Sequence, residues 1–197
     1  SWARILADIP TVDSLTIVEL NPSYVDVLWH YPELAGVLDD PRVRLQIDDG
    51  RRWLARHPDR RFDMVVINGT WHWRSGATHL LSAEFLRELK AHLAPGGVAY
   101  FNATGSMDVA YTAAGVWRHV IRVSNFVAAS DVPFDQTRAE RRAAMLSIRG
   151  PDGAPPYHTN VMLWIGTHCA GVCAEAIAAG DRSRVLAALG SGGRDVV

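Results

Sequence analysis

Two carboxylates stand where apolar runs of the sequence end, and each could hold part of a nucleoside. Glu19 closes the run LTIVEL, where a carboxylate can accept hydrogen bonds from the vicinal hydroxyls of a ribose. Asp49 follows VRLQI, where it can accept from an exocyclic adenine amine, and Gly50 would let the backbone approach the ring. A solvated acid and a helix N-cap explain the same residues equally well. Together the two positions indicate a site for an adenosine.

A third apolar run, FDMVVIN, ends on Asn68 and leads into an aromatic loop. An amide can orient an amine, but it neither balances a positive charge nor takes a proton at neutral pH. Arg74 in the loop would repel a cationic acceptor and would suit a carboxylate. Trp71, Trp73 and Arg74 are therefore predicted to bind the acceptor. The alternative is that the two tryptophans only pack the loop and Arg74 lies in solvent.

Histidine and cysteine supply the other reactive side chains. His72 or His79 could act as a base near pH 7, and His72 is preferred because it lies nearer the strand end, although a surface histidine is the simpler interpretation. The motif formed by His168, Cys169 and Cys173 could place two thiols on one helical face. A tetrahedral metal site needs two further ligands, so small buried residues are favoured and no metal is predicted.

These candidates require strands that end at one edge of a sheet. Strand-like runs alternate with helices, which are predicted from Pro22 to about Tyr31, around Trp53 and Leu54, and after the cap residue Ser82. FDMVVIN resembles a strand covered on both faces, and APGG stops the third helix before the strand VAYFNAT. The alternation predicts a mostly parallel, Rossmann-like α/β sheet with helices on both faces, where ligands lie outside the carboxyl ends of the strands. Those ends are residues 19–21, 48–50, 68–73 and 102–106.

The pattern changes after Gly115. HVIRVSNFVAAS and NVMLWIGT are predicted as two final strands, an antiparallel pair at the sheet edge. The segment between them is predicted as an exposed helix followed by a Gly/Pro-rich loop. From Cys169 onward an Ala-rich stretch predicts one or two short helices. The prediction is one domain over residues 1–189 and a flexible tail over 190–197.

Composition narrows the class of partner. The 197 residues are 48% hydrophobic and 21% charged, which suits one globular domain with a substantial core. A formal net charge of -1 gives no field that would recruit nucleic acid or an anionic membrane, so a small-molecule partner is expected. With two cysteines, no signal peptide and no bilayer-length apolar run, the chain is expected to be cytoplasmic and not inserted in a membrane. Because it lacks an initiator Met, an upstream region, including a membrane anchor, could be missing.

Four segments occur in a familiar order and spacing: VELNPSYVDVL, DDPRVRLQIDDGRRWL, FDMVVIN and LSAEFLRELKAHLAPGGV. As an ordered set they resemble the nucleotide-binding domain of the spermidine synthase (polyamine aminopropyltransferase) group, within the class I S-adenosylmethionine-dependent transferases. The resemblance covers about Trp2 to Thr104. It implies S-adenosylmethionine or its decarboxylated form as the cofactor, with Glu19 on the ribose, Asp49 by the adenine and the Asn68 loop facing the sulfonium. The cofactor contacts predicted in this way are Glu19, Leu20, Asp49, Gly50, Asn68 and Gly69.

Two departures from the family pattern shape the functional prediction. In aminopropyltransferases the matching strand ends in an aspartate and a second aspartate follows in the loop; the pair holds the cationic diamine and helps to deprotonate its attacking nitrogen. Here Asn68 and the loop GTWHWRSGATH replace them, so ordinary putrescine aminopropylation is not expected. The family also has a strand and a glycine-rich turn before the first helix, whereas this chain begins with SWARIL. Their absence predicts a gap at the centre of the sheet, in either a truncated copy or a degenerate member.

Three functions stay open. The first is aminopropyl or methyl transfer by in-line attack beside a sulfonium, which needs positioning and no metal, with Asn68 and His72 as the catalytic side chains. The second is a methyltransferase proper acting on a small molecule, favoured by the loss of the acidic pair. The third is a non-catalytic binding or assembly module, favoured by the absent glycine loop. Related enzymes are often dimers, so a homodimer is the assembly that the resemblance implies.

Overall fold

The computed structural model describes residues 2–69, 76–123, 125–150, 152–154 and 177–178. The strands are β1 (Leu15–Glu19), β2 (Val43–Ile47), β3 (Phe62–Ile67), β4 (Leu93–Asn102), β5 (His119–Val123), β6 (Phe126–Ser130) and β7 (Ile177–Ala178). The α-helices are α1 (Trp2–Ala7), α2 (Pro22–Leu28), α3 (Pro32–Ala35), α4 (Gly50–Arg56), α5 (Ala83–Ala91), α6 (Met107–Ala114) and α7 (Arg138–Ser147), with a 3₁₀ helix at Ala77–Leu81. None of these helices is long and apolar enough to cross a bilayer.

The chain divides into two compact units, each built from two stretches of sequence. The first unit contains residues 1–56 and 137–167, and the second contains residues 57–136 and 168–197. Strands β1 and β2 form a parallel pair in the first unit, while the second unit holds a five-stranded sheet in the order β3-β4-β6-β5-β7. Among the described strands, β1 and β2 pair only with each other. The predicted gap at the centre of the sheet stays a prediction. The single-domain prediction for residues 1–189 stays a prediction.

The first unit follows the predicted order of strands and helices, with one correction. Asn21 caps α2 as predicted, because its side chain accepts a hydrogen bond from the backbone amide of Ser23 at 3.1 Å. The helix ends at Leu28, however, and α3 begins at Pro32, so the prediction of one helix to about Tyr31 is wrong. A residue that precedes proline is disfavoured in the helical conformation, and Tyr31 has φ -127° and ψ 83°.

Arg42 fixes the entry to β2 within the first unit. Its guanidinium donates hydrogen bonds to the backbone carbonyls of Ala7 and Val12, both at 2.8 Å. The same guanidinium pairs with the carboxylate of Asp40 at 2.7 Å, and this hydrogen bond lowers the pKa of Asp40. One side chain therefore ties the end of α1 and the segment after it to the strand that leads toward Asp49.

The second unit buries its core between the middle strands and helices α5 and α6. Strands β3 and β4 are parallel, whereas β6 is antiparallel to both β4 and β5. Ser82 caps α5 as predicted, since its hydroxyl accepts from the Phe85 amide at 3.3 Å. The large buried side chains include Phe85, Leu86, Leu89, Phe101, Trp117, Val120 and Val127. Strand β4 thus pairs with β3 on one side and β6 on the other, so the residues at its carboxyl end have fixed positions.

Two predictions for β3 and β4 are wrong. Strand β4 begins at Leu93, which already pairs with Phe62, so APGG lies inside the strand as a bulge. Only glycine suits this bulge, because a Cβ added at Gly97 would lie 3.0 Å from the carbonyl oxygen of Phe62. Strand β3 is an edge strand, paired on one side among the described strands, and Met64 is 45% exposed. It is therefore not covered on both faces.

The last part of the sheet also differs from the prediction. HVIRVSNFVAAS forms two strands rather than one, since β5 and β6 pair as a hairpin that turns at Asn125, a residue type that favours turns. Strand β6 lies between β4 and β5 and not at an edge. Residues 177–178 form β7 beside β5, so the helix predicted over this stretch is wrong there. NVMLWIGT lies outside the described residues. Helix α7 is confirmed, with a capping box between Thr137 and Glu140.

Candidate functional site

Glu19 is the last residue of β1 and has a fixed side chain. Its Oε1 atom accepts a hydrogen bond from the backbone amide of Asn21 at 2.9 Å. In the part of the chain that the structure describes, no group donates to the second oxygen, Oε2. Leu20, beside it, is 68% exposed. The strand end thus presents an oriented carboxylate with an open acceptor position, which is what a ribose hydroxyl requires.

Asp49 and Gly50 lie at the neighbouring strand end, and here the N-cap interpretation is observed. The Oδ1 atom of Asp49 accepts from the backbone amides of Arg51 and Arg52, both at 3.0 Å. A Cβ added at Gly50 would meet no atom within 4 Å, so this position borders open space. The cap occupies one carboxylate oxygen and is compatible with a contact from the other to a ligand.

The two strand ends are held side by side by the parallel ladder of β1 and β2. Glu19 is the register partner of Ile47, and the backbone amide of Asp48 donates to the Glu19 carbonyl at 3.0 Å. The structure therefore brings the ends that carry Glu19 and Asp49 together at one edge of the first unit, as predicted.

Asp48 has a structural role that was missed. Its carboxylate pairs with Arg52 and with Arg56, the latter at 3.2 Å, and so clamps α4 to the end of β2. Partial burial raises the pKa of Asp48, but the hydrogen bonds from Arg52 and from the Asp49 amide, with the charges of both arginines, outweigh this and lower the pKa overall. The signal was present in the sequence as the i, i+4 spacing of Asp48 and Arg52.

In the second unit, Asn68 and Asn102 meet at the ends of adjacent parallel strands. The side-chain nitrogen of Asn102 donates to the Asn68 oxygen at 3.2 Å. The Asn102 oxygen accepts from the backbone amide of Thr104 at 2.8 Å. Ile67 and Phe101 are register partners, so the residues that follow them lie opposite one another. Residues 102–106 form a predicted strand end, but the contact between Asn102 and Asn68 depends on the register in which β3 and β4 pair, which the sequence alone does not reveal.

The remaining predicted side chains lie outside the described residues. These are Trp71, His72, Trp73 and Arg74 in the loop, and His168, Cys169 and Cys173 near the C-terminus. Their predicted roles stay predictions. Gly69 and His79 are described and are exposed. Within the described ranges, no three His, Cys, Asp or Glu side chains gather as a metal site would require.

Comparison with known proteins connects these strand ends to a family. The family model described as spermine/spermidine synthase domain matches residues 2–116. A second model, N,N dimethylarginine dimethylhydrolase, eukaryotic, matches residues 136–197, which is less than half of the chain. A polyamine aminopropyltransferase from Halorhodospira halophila is 32% identical over 90 residues, covering 45% of this chain and 32% of that protein. The match therefore spans about a third of this relative's length.

Two solved structures share the fold. A spermidine synthase in complex with the transition state analogue AdoDATO aligns with a TM-score of 0.62 at 15% identity, covering 84% of this chain and 64% of that chain. Human methyltransferase-like protein 13 in complex with SAH aligns with a TM-score of 0.52 at 16% identity, covering 80% and 69%. At these identities the likeness establishes the fold alone, and it confirms the Rossmann-like α/β class. Because the matched residues 2–116 make up more than half of the chain, the protein belongs to the spermine/spermidine synthase domain family.

Proposed function

We propose that the protein is a spermidine synthase-like transferase. It binds S-adenosylmethionine or decarboxylated S-adenosylmethionine and transfers a methyl or aminopropyl group to a small-molecule acceptor. The observation that carries the proposal is the pair of carboxylates at the adjacent ends of β1 and β2, where Glu19 keeps one oxygen open beside an exposed surface. This arrangement can accept from ribose hydroxyls on one strand and from an adenine amine on the next.

The acceptor in this proposal is not ordinary putrescine. The neutral amide of Asn68 stands at the end of β3, where it cannot neutralise a dication or remove a proton from an ammonium group. His72 is the candidate base, with Trp71, Trp73 and Arg74 as acceptor contacts, on the strength of the sequence alone. Loss of the acidic pair favours methyl transfer as the second candidate, and a non-catalytic module, alone or as a homodimer, is the third.

Calorimetric titration separates these candidates. The whole chain is titrated with S-adenosylmethionine and, separately, with decarboxylated S-adenosylmethionine. Tighter binding of one compound identifies the donor and so distinguishes methyl from aminopropyl transfer. Binding of neither compound rejects the transferase proposal and supports the non-catalytic module.

The match of residues 136–197 favours a separate hydrolytic activity as a further candidate. The name of that family describes hydrolysis of N,N-dimethylarginine. In the candidate reaction, water supplies the oxygen that replaces the dimethylated nitrogen on the guanidinium carbon, and dimethylamine leaves. Cys169 and Cys173 lie in the matched stretch, and thiolates are suitable nucleophiles for such a reaction. Dimethylamine release from N,N-dimethylarginine, compared between the natural chain and Cys169→Ser and Cys173→Ser, tests this candidate. No release by the natural chain rejects it.

A further inference from the structure

We infer that Asn102 orients the amide of Asn68 so that Asn68 presents hydrogen-bond donors to the acceptor substrate. The site would then select an acceptor that carries a carboxylate over one that carries only protonated amines. This inference rests on the proposed function, since it names the substrate class of the same site. Asn102 acts as a positioning residue, because its contact is with Asn68.

The orientation follows from a chain of hydrogen bonds that begins at a backbone N–H. The amide of Thr104 can only donate, so the atom of Asn102 that faces it at 2.8 Å is the side-chain oxygen. The nitrogen of Asn102 therefore points the other way and donates to Asn68 at 3.2 Å. The atom of Asn68 that receives this hydrogen bond is its oxygen. The Asn68 nitrogen, with two N–H donors, is left for other partners.

The starting point of this chain is firmly held. Thr104 and Gly105 have φ values of 46° and 76°, which form a sharp turn directly after β4. The backbone amide of Ala103 donates to the carbonyl of Asn125 at 2.8 Å, and Ala103 is 2% exposed. Asn102 is itself paired with Phe126 in the antiparallel ladder. The Thr104 amide cannot turn away without disrupting this packing, so the orientation of Asn102 is fixed by the fold.

Asn68 is exposed and open on its nitrogen side. Among the residues that the structure describes, no group accepts a hydrogen bond from its Nδ2 atom. A protonated amine also has only donors, so it would meet the Asn68 N–H groups without an acceptor. A carboxylate or carbonyl oxygen can accept from both N–H groups. The hydrogen-bond pattern thus adds a repulsive element against ammonium groups, and such elements contribute to specificity as much as attractive contacts do.

A matched series of four-carbon probes tests the inference. Putrescine, 4-aminobutyrate and succinate each contain four carbons, and along the series a carboxylate replaces a terminal aminomethyl group at one end and then at both. Each is titrated into the whole chain with and without S-adenosylmethionine. We expect succinate and 4-aminobutyrate to bind at least about tenfold more tightly than putrescine, which is the size of effect that one hydrogen bond to a charged group can produce. Putrescine binding as tightly as the carboxylates, or no binding by any probe, would overturn the inference.

Three variants separate orientation from charge. In Asn102→Asp the new carboxylate still accepts from Thr104 but needs a donor from Asn68, so Asn68 turns and presents its oxygen. We expect the probe order to reverse in favour of putrescine. Asn68→Asp removes the donors directly and should also reverse the probe order, with putrescine bound weakly and the carboxylate probes more weakly still, without any change at Asn102. Asn125→Asp is the control, because it adds the same charge near the turn at Gly105 without contacting Asn68. The Oδ1 atom of Asn125 lies 3.6 Å from the position that a Cβ added at Gly105 would take. Reversal in Asn125→Asp as well would assign the effect to charge and overturn the role of orientation.

Proton exchange of the side-chain amides gives a readout that needs no ligand. In the natural chain the Asn102 amide should be protected in ¹⁵N–¹H spectra and the Asn68 amide should exchange freely. In Asn102→Asp the Asn68 amide should become protected. Unchanged Asn68 exchange would refute the orientation. If this measurement succeeds while no adenosyl compound binds, the proposed transferase function fails and the orientation stands.

Discussion

Replacing Glu19 with Ala tests the nucleotide site most directly. Its Oε1 atom is used by the Asn21 amide at 2.9 Å, and this contact does not require a ligand, so losing it largely cancels from a binding comparison. The open Oε2 atom is what a ribose hydroxyl would use. A hydrogen bond to a charged acceptor contributes about 1–3 kcal/mol, so Glu19→Ala should weaken any adenosyl ligand roughly 5- to 150-fold. Glu19→Gln keeps an oxygen for Asn21 but loses the charge, and should lie between Ala and the natural residue.

The assay is calorimetric titration with S-adenosylmethionine and its decarboxylated form, supported by thermal unfolding to show that the fold is intact. Asp13→Ala is the matched control. It removes the same charge from the same unit, but Asp13 precedes the start of β1, roughly 20 Å along the strand from Glu19 at about 3.3 Å per residue. Asp13→Ala should leave the affinity unchanged. Unchanged affinity in Glu19→Ala, with the natural chain binding, would refute the assignment of Glu19 to the ribose.

Three further predictions follow from the site and the fold. The natural chain should not convert putrescine to spermidine with decarboxylated S-adenosylmethionine, and robust turnover would contradict this prediction. Asn68→Asp should bind putrescine weakly at most, and adding Arg74→Ala should strengthen that binding. The hydrogen bonds and ion pairs of Asp48 lower its folded pKa, so their stabilisation is present above the unfolded pKa of about 3.9 and is lost as pH falls through the lower folded value. Urea unfolding followed as the pH is lowered from neutral should therefore show a shallower pH dependence in Asp48→Asn than in the natural chain. Gly97→Ala should destabilise the protein by about 1–3 kcal/mol, because the new Cβ meets backbone atoms. Gly50→Ala should leave the stability unchanged but weaken the binding of an adenosyl ligand that approaches α4. Equal melting temperatures for the two variants would contradict the predicted destabilisation by Gly97→Ala.

Local signals predicted most of the first hundred residues. Strands β1, β2 and β3 are short segments rich in apolar residues. The caps Asn21 and Ser82 lie at helix starts because their side chains accept hydrogen bonds from amides in the first turn. Apart from the end of α2, which a local proline effect explains, the errors concern features that depend on a partner strand. Gly97 lies in the bulge close to the carbonyl of Phe62, which is 35 positions earlier in the chain, so no local pattern indicates the bulge.

The same limit applies to the site. Each strand end could be read from the sequence, including the acid at Glu19 and the amide at Asn68. The hydrogen bond between Asn68 and Asn102 could not, because it depends on the register in which β3 and β4 pair. Register is a tertiary property that is set by the packing of both strands, so it cannot be predicted from one strand's sequence alone.

The interleaving of the two units has a consequence for synthesis of the protein. Residues 57–136 of the second unit are one continuous stretch that contains β3, β4, β5 and β6, whereas the first unit is completed only by residues from 137 onward. Because the ribosome synthesises the chain from its N-terminus, β1 and β2 leave the ribosome before residues 57–136, and α7 follows only after that stretch has been made. The stretch from 57 to 136 can close most of its sheet during that delay. The edge that carries Glu19 and Asp49 is thus synthesised before the sheet of the second unit, and the unit to which it belongs is completed after that sheet.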